Sequence, residues 1–174
     1  VFEELDKLDL GMLRCGIGII NKKNRSVNVW ASTKSDKERP VQVSGDESMD
    51  THPLLRGAFN AWLNQEEYSY ILHGKDLTDY YKTQVSANFK LPDAQSLVTG
   101  NEGLQQYYFV STFQPGGLFA FRETPFPDEA KKVMRRFADV FNLTYTRFLD
   151  LQKAEAQARE ANIQLAMESV RASS

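Results

Sequence analysis

Two histidines, one cysteine and a few acidic pairs are what this 174-residue chain offers to polar chemistry. His52 follows Asp50-Thr51 and precedes Pro53, the pattern of a helix opening with a capping residue and an early proline. His73 closes an aromatic, branched run just before Gly74. Metal sites need several His, Cys, Asp or Glu donors at ligand spacing, and two histidines without a carboxylate at helical spacing make a poor one. The single Cys15 excludes an internal disulfide and a Cys-based zinc site, and its apolar strand-like setting reads as a buried, inert thiol. Ser44-Gly45-Asp46 reads as a turn, and no Gly-x-Ser-x-Gly nucleophile elbow exists. Gly16-x-Gly18 lacks the third glycine and the following helix of a dinucleotide loop. Glu66-Glu67 falls in a loop and needs no special account. No catalytic constellation emerges, so the fragment is read as a non-enzyme.

The elements that would position these residues follow from periodicity. Phe2, Leu5 and Leu8 form a short apolar stripe ended by Gly11, the tail of an entering helix. Met12 to Ile20 reads as a buried strand, and Ser26 to Ser32 alternates around Val27, Val29 and Ala31, giving a hairpin. A charged loop from Lys34 to Pro40 leads to a short strand at Val41-Gln42-Val43. Leu54, Leu55, Ala58, Phe59 and Trp62 share one helical face, Tyr68 to His73 is a strand, and Lys75 to Asn88 is a helix carrying Leu77, Tyr81 and Val85. Lys90 to Gly103 is a loop. Leu104 to Phe113 and Leu118 to Arg122 are strands joined through Gln114-Pro115-Gly116-Gly117, a strong hairpin signal. From about Pro127 onward there is neither Gly nor Pro, and one long helix is expected. Hairpins dominate without a βαβ rhythm, so an α+β fold with a mostly antiparallel sheet of five or six strands, flanked by helices, is predicted.

Composition narrows the function classes. A net charge of −2 and short basic runs leave no electrostatic footprint for nucleic acid. No apolar run reaches the roughly 20 residues of a membrane span, and the N-terminus lacks a signal-peptide pattern. A cytoplasmic location fits this usage. The chain opens on Val1 and closes inside a helical pattern, as expected of a piece of a longer protein.

The order of elements, together with Arg14-Cys15-Gly16-Ile17-Gly18-Ile19, His52-Pro53-Leu54-Leu55, Gly116-Gly117-Leu118-Phe119-Ala120-Phe121 and Arg136-Phe137-Ala138-Asp139-Val140-Phe141, resembles the GAF domain family over about Phe2 to Leu151. Ala138 to Phe148 followed by Glu155 to Arg171 is similar to GAF-like modules of multidomain bacterial signalling proteins. The resemblance implies a sensory or dimerisation domain with a pocket over one sheet face. It implies a covalently linked output domain beyond this fragment, a histidine kinase of a two-component system or a nucleotide cyclase. The cyclic-nucleotide signature of the family is missing, and Asn21-Lys22-Lys23-Asn24 is only a polar turn. A bilin-binding member needs a cysteine beside a histidine after the middle strands, whereas Cys15 lies in the first. Methionine sulfoxide reductase members use several cysteines. Haem-binding relatives use a histidine ligand, and His73 ends a strand where an ordinary structural account suffices, so haem is disfavoured and the cofactor stays unassigned. Trp30, Tyr70, His73 and Phe109 are the candidates for lining a small-molecule pocket.

The last stretch carries a separate expectation. After Leu151 large apolar residues give way to a thin seam of Leu151, Ala154, Ala158, Ala161 and Leu165 among charged and amide side chains. A stripe that narrows to two positions in seven is leaving a core and entering a coiled coil. Residues 1–150 are therefore assigned to a sensor domain and 151–174 to a coiled-coil linker helix that pairs in a homodimer. The expected function is to bind a small ligand and relay a signal through that helix. The alternative is a ligand-free structural dimerisation module.

Overall fold

The computed structural model describes residues 10–33, 41–86 and 103–174. The entering helix expected before Gly11 and most of the loop expected after Lys90 lie outside the described residues.

Six strands, β1 (Met12–Asn21), β2 (Ser26–Thr33), β3 (Val41–Ser48), β4 (Tyr68–His73), β5 (Gln105–Phe113) and β6 (Gly116–Arg122), form one sheet in the order β3-β2-β1-β6-β5-β4. Every pairing is antiparallel. Helix α1 (Pro53–Asn64) joins β3 to β4, and α2 (Gly74–Ser86) follows β4 directly. Helix α3 (Asp128–Ala172) closes the chain. The α+β class, the antiparallel sheet and the long C-terminal helix expected from periodicity are all present.

β3 differs from expectation. It runs eight residues, and Ser44-Gly45-Asp46, read from sequence as a turn, pairs with Asn28, Val29 and Trp30 of β2. Turn-prone residues are held extended by an unbroken ladder, a case of tertiary context overriding local propensity.

Strand alternation divides the sheet into two faces. On one, Arg14, Gly18 and Ile20 of β1 stand with Val27, Val29 and Ala31 of β2, Glu47 of β3, Tyr108 and Val110 of β5, and Phe119 and Phe121 of β6. This face packs against α1, through Leu54, Leu55, Ala58 and Phe59, and α2, through Leu77, Tyr80 and Tyr81, to make the main core. On the other face Phe109 meets Phe126 and the Lys131 ammonium at the start of α3, where Ala130, Met134 and Ala138 are buried.

The hairpin from β5 to β6 turns on Gln114-Pro115. Gly116 and Gly117 belong to β6, opposite Ile19 and Gly18 of β1. The backbones come so close that a methyl group at Gly116 would overlap the Gly18 carbonyl oxygen. Trp62 Nε1 donates to the Gln114 carbonyl at 3.0 Å, tying the end of α1 to the same turn.

The chain divides into two compact units, residues 1–139 and 140–174, and the division falls within α3. Near it, the buried Ala130, Met134 and Ala138 give way to exposed Val140 and Leu143, with Phe141 half-buried.

Candidate functional site

The face of the sheet under α1 and α2 holds a partly open cavity of about 50 Å³. Its walls are mostly aliphatic and aromatic: Val27, Val29, Ala31, Met49, Leu55, Ala58, Val110 and Phe119. Two glycines of the lining, Gly18 and Gly117, face each other across β1 and β6, and missing side chains there leave room that a Cβ would take from Val27 and Val110. Arg14, Glu47, Tyr80, Tyr108 and Thr112 bring polar groups into this mostly apolar lining. Such a mixture of apolar wall and few convergent polar groups is the usual composition of a small-molecule site.

Arg14 is 6% exposed. Its guanidinium lies over the Phe121 ring, 4.1 Å from the centroid, and one terminal nitrogen donates to the Tyr80 hydroxyl at 2.9 Å. Its Nε is buried without a hydrogen-bond partner. Burial opposes the charge, but Tyr80, Tyr81 and Glu47 around it tip the balance and keep the group protonated. Among the described residues the ion pairs lie elsewhere, at Arg25–Asp50, Lys75–Asp79, Glu129–Lys132 and Arg135–Glu67. A buried guanidinium without a contacting carboxylate is an expensive arrangement.

Glu47, at 7% exposure, is the counterpart. Its carboxyl accepts from Gln84 Nε2, while Gln84 Oε1 is buried without a partner. Burial pushes the Glu47 carboxyl up to about 7, against the opposing pulls of the Gln84 bond and the Arg14 charge. Tyr80 and Gln84, one helical turn apart on α2, thus serve the two charged groups separately. The Tyr80 and Tyr108 hydroxyls are pushed above the ordinary tyrosine range, chiefly by burial, so both are neutral donors.

His52 plays a structural part. Its Nδ1 accepts from the Leu54 N–H at 3.1 Å, capping α1 in the way Asn or Asp often does. Its Nε2 lies 3.2 Å from the Asp76 carbonyl oxygen, the partner that suits an Nε2–H tautomer. The imidazole is buried, in edge contact with Tyr80 at 5.4 Å and Tyr70 at 6.1 Å.

The four residues expected from sequence to line a pocket are placed elsewhere. Trp30 is 47% exposed and points away from the cavity between Val29 and Ala31. Phe109 is buried on the opposite sheet face against Phe126. Tyr70 is half-buried beside His52, and His73 is exposed at the end of β4. None of the four is among the cavity-lining residues. The aromatic lining residues are Trp62, Tyr80, Tyr108, Phe119 and Phe121.

Glu47 was hidden by the misread end of β3. Arg14 had a legible signal, one charged residue within an otherwise apolar run from Met12 to Ile20. Glu67, dismissed with Glu66 as a loop pair, in fact takes a two-pronged contact from Arg135. Cys15 is buried in β1, as its setting implied.

The exposed seam residues Leu151 and Leu165 keep 65% and 63% of their surface open, and Ala154, Ala158 and Ala161 are exposed as well. No helix among the described residues is long and apolar enough to cross a membrane. The chain has no significant match among protein-family models, curated proteins or solved structures.

Proposed function

We propose that this chain is a GAF-like regulatory module that takes a small ligand into the cavity beneath α1 and α2. In this reading the ligand's presence is relayed through a homodimeric C-terminal helix to an output domain, a histidine kinase or a cyclase, in a longer cytoplasmic protein. The observation that carries the reading is the cavity itself: an apolar chamber in the core that buries a guanidinium with an unpartnered nitrogen. A core evolved only to pack would gain by filling that space with hydrocarbon and by omitting the charge.

The sheet order and hairpins support the fold resemblance, and the exposed apolar side chains after Val140 support a helix that pairs with a second copy. The same exposed seam favours the second reading, a dimerisation module whose cavity stays empty. The two readings separate in a native mass spectrum of the purified chain, followed by a thermal-shift screen of small metabolites. A discrete bound mass, or a compound that raises the melting temperature, supports the sensor. A ligand at a hundred times its dissociation constant should add about 2.7 kcal/mol of stability. A bare dimer that no compound stabilises would leave dimerisation alone standing.

A further inference from the structure

Resting on the ligand-sensing reading, the geometry goes further and specifies the ligand's class. We propose that the cavity binds a small organic carboxylate, its acid group on the Arg14 guanidinium beside Tyr80 and its apolar part against Val29, Val110 and Phe119.

Four observations converge on this class. Arg14 is buried, lines the cavity, and holds an Nε–H without a partner, while only one of its hydrogen bonds is taken, by a neutral hydroxyl. A guanidinium fork is shaped for two parallel bonds to a carboxylate, and charge-assisted bonds of this type are about twice as strong as neutral ones. Beyond Arg14, Glu47, Tyr80, Tyr108 and Thr112 the wall is hydrocarbon and aromatic ring, which accepts an apolar body and suits a sugar or a polyhydroxylated ligand poorly. The cavity is small, a few times the space one water needs, so the body is a short chain or a single ring. A cationic ligand would meet the buried Arg14 charge where repulsion is screened less than in bulk water.

Glu47 sets the conditions of binding. From β3 it shares the cavity with Arg14 of β1, Tyr80 of α2 and Tyr108 of β5, and Gln84 of α2 donates to it. The tyrosines stay neutral across the working range, so Glu47 is the one acidic group there whose charge changes near neutrality. In its neutral form it leaves Arg14 free to take the ligand's acid group; ionised, it repels that group. Carboxylate binding should therefore be linked to a proton held by Glu47 and weaken as pH rises from 6 to 8.

The test titrates the full chain with benzoate, butanoate, benzamide and benzylamine, following methyl NMR signals of Met49, Val29 and Val110 at pH 6 and pH 8. The expected result is binding of at least one carboxylate at least tenfold tighter than benzamide, no binding of benzylamine, and a loss of severalfold or more in carboxylate affinity at pH 8. Arg14→Met should abolish the preference for acid over amide. Glu47→Gln, which keeps the shape and a hydrogen bond to Gln84, should bind the carboxylate with its pH dependence removed. Preferential binding of benzamide or benzylamine would overturn the carboxylate class while leaving the cavity a ligand site. If none of the four probes moved these signals, the ligand-site reading itself would fall with it.

Discussion

At the scale of single residues, Arg14 is the side chain whose presence stability does not explain. Replacing even a paired set of buried charges by apolar residues of similar volume is often neutral or stabilising by about 1–4 kcal/mol, and Arg14 has no contacting carboxylate to leave behind. Arg14→Met should thus raise the urea midpoint of the ligand-free protein, the reverse of what most buried substitutions do. A drop in stability would mean that the Tyr80 bond and the Phe121 face already satisfy the guanidinium. Glu47 makes the complementary statement through pH. Its carboxyl is lifted by burial from the usual range near 4.5 to about 7 in the folded protein. The folded chain therefore holds a proton that the unfolded chain has released between those values. The stability associated with it is complete below pH 4.5 and is lost as pH rises through 7, by an amount of order 3 kcal/mol. Chemical denaturation from pH 5 to pH 8 should show this decline in the parent and a flatter profile in Glu47→Gln. Equal slopes in the two proteins would show that the carboxyl ionises as freely folded as unfolded.

At the scale of elements, the hairpin of β5 and β6 gives the sharpest expectation. Gly116 sits where any Cβ would run into the Gly18 carbonyl of β1, and neither backbone can retreat without breaking the ladder between the strands. Gly116→Ala should destabilise by about 3 kcal/mol, the upper end of overpacking penalties, or prevent folding, as read by circular dichroism and denaturation. Folding with unchanged stability would contradict the close approach of β1 and β6. The element scale is also where the sequence was most and least legible. Strands such as Tyr68–His73, and the helix from Pro53, carry their own periodicity and capping and were readable to within a residue or two. β3 was not, because Ser44-Gly45-Asp46 has the composition of a turn and is held extended only by β2 beside it. That one error hid Glu47, whose inward direction depends on the strand continuing past Val43. The pocket candidates lie outside the cavity for a related reason. Which aromatics face inward follows from strand parity, and Phe109 and Trp30 occupy the outward parity of β5 and β2, a choice that composition does not encode.

At the scale of the whole molecule, α3 carries a row of exposed apolar side chains from Val140 on, Leu143, Phe148 and Leu149 among them. Leu151 and Leu165 bracket the alanine seam, and Ile163, Met167 and Val170 add a second exposed line near the end. Burying an apolar seam against a second copy is the ordinary remedy, and alanine at three of the five positions keeps the gain small. The chain should accordingly dimerise weakly, with a sedimentation profile that shifts with concentration in the micromolar range. Leu151→Glu together with Leu165→Glu should hold it monomeric while leaving the melting of the sheet domain unchanged, since both side chains are already exposed. Ala158→Leu with Ala161→Leu should act in the opposite sense. Each adds three carbons to the seam, up to about 2 kcal/mol of burial per site, so dimer dissociation should fall by several orders of magnitude. In a parent protein that signals by shifting this helix pair, the tightened seam should also fix the output in one state, with the cavity still able to bind its ligand. A spacer helix would tolerate the same two leucines with no change in output, and a chain that stayed monomeric at every concentration would remove the seam from the mechanism altogether.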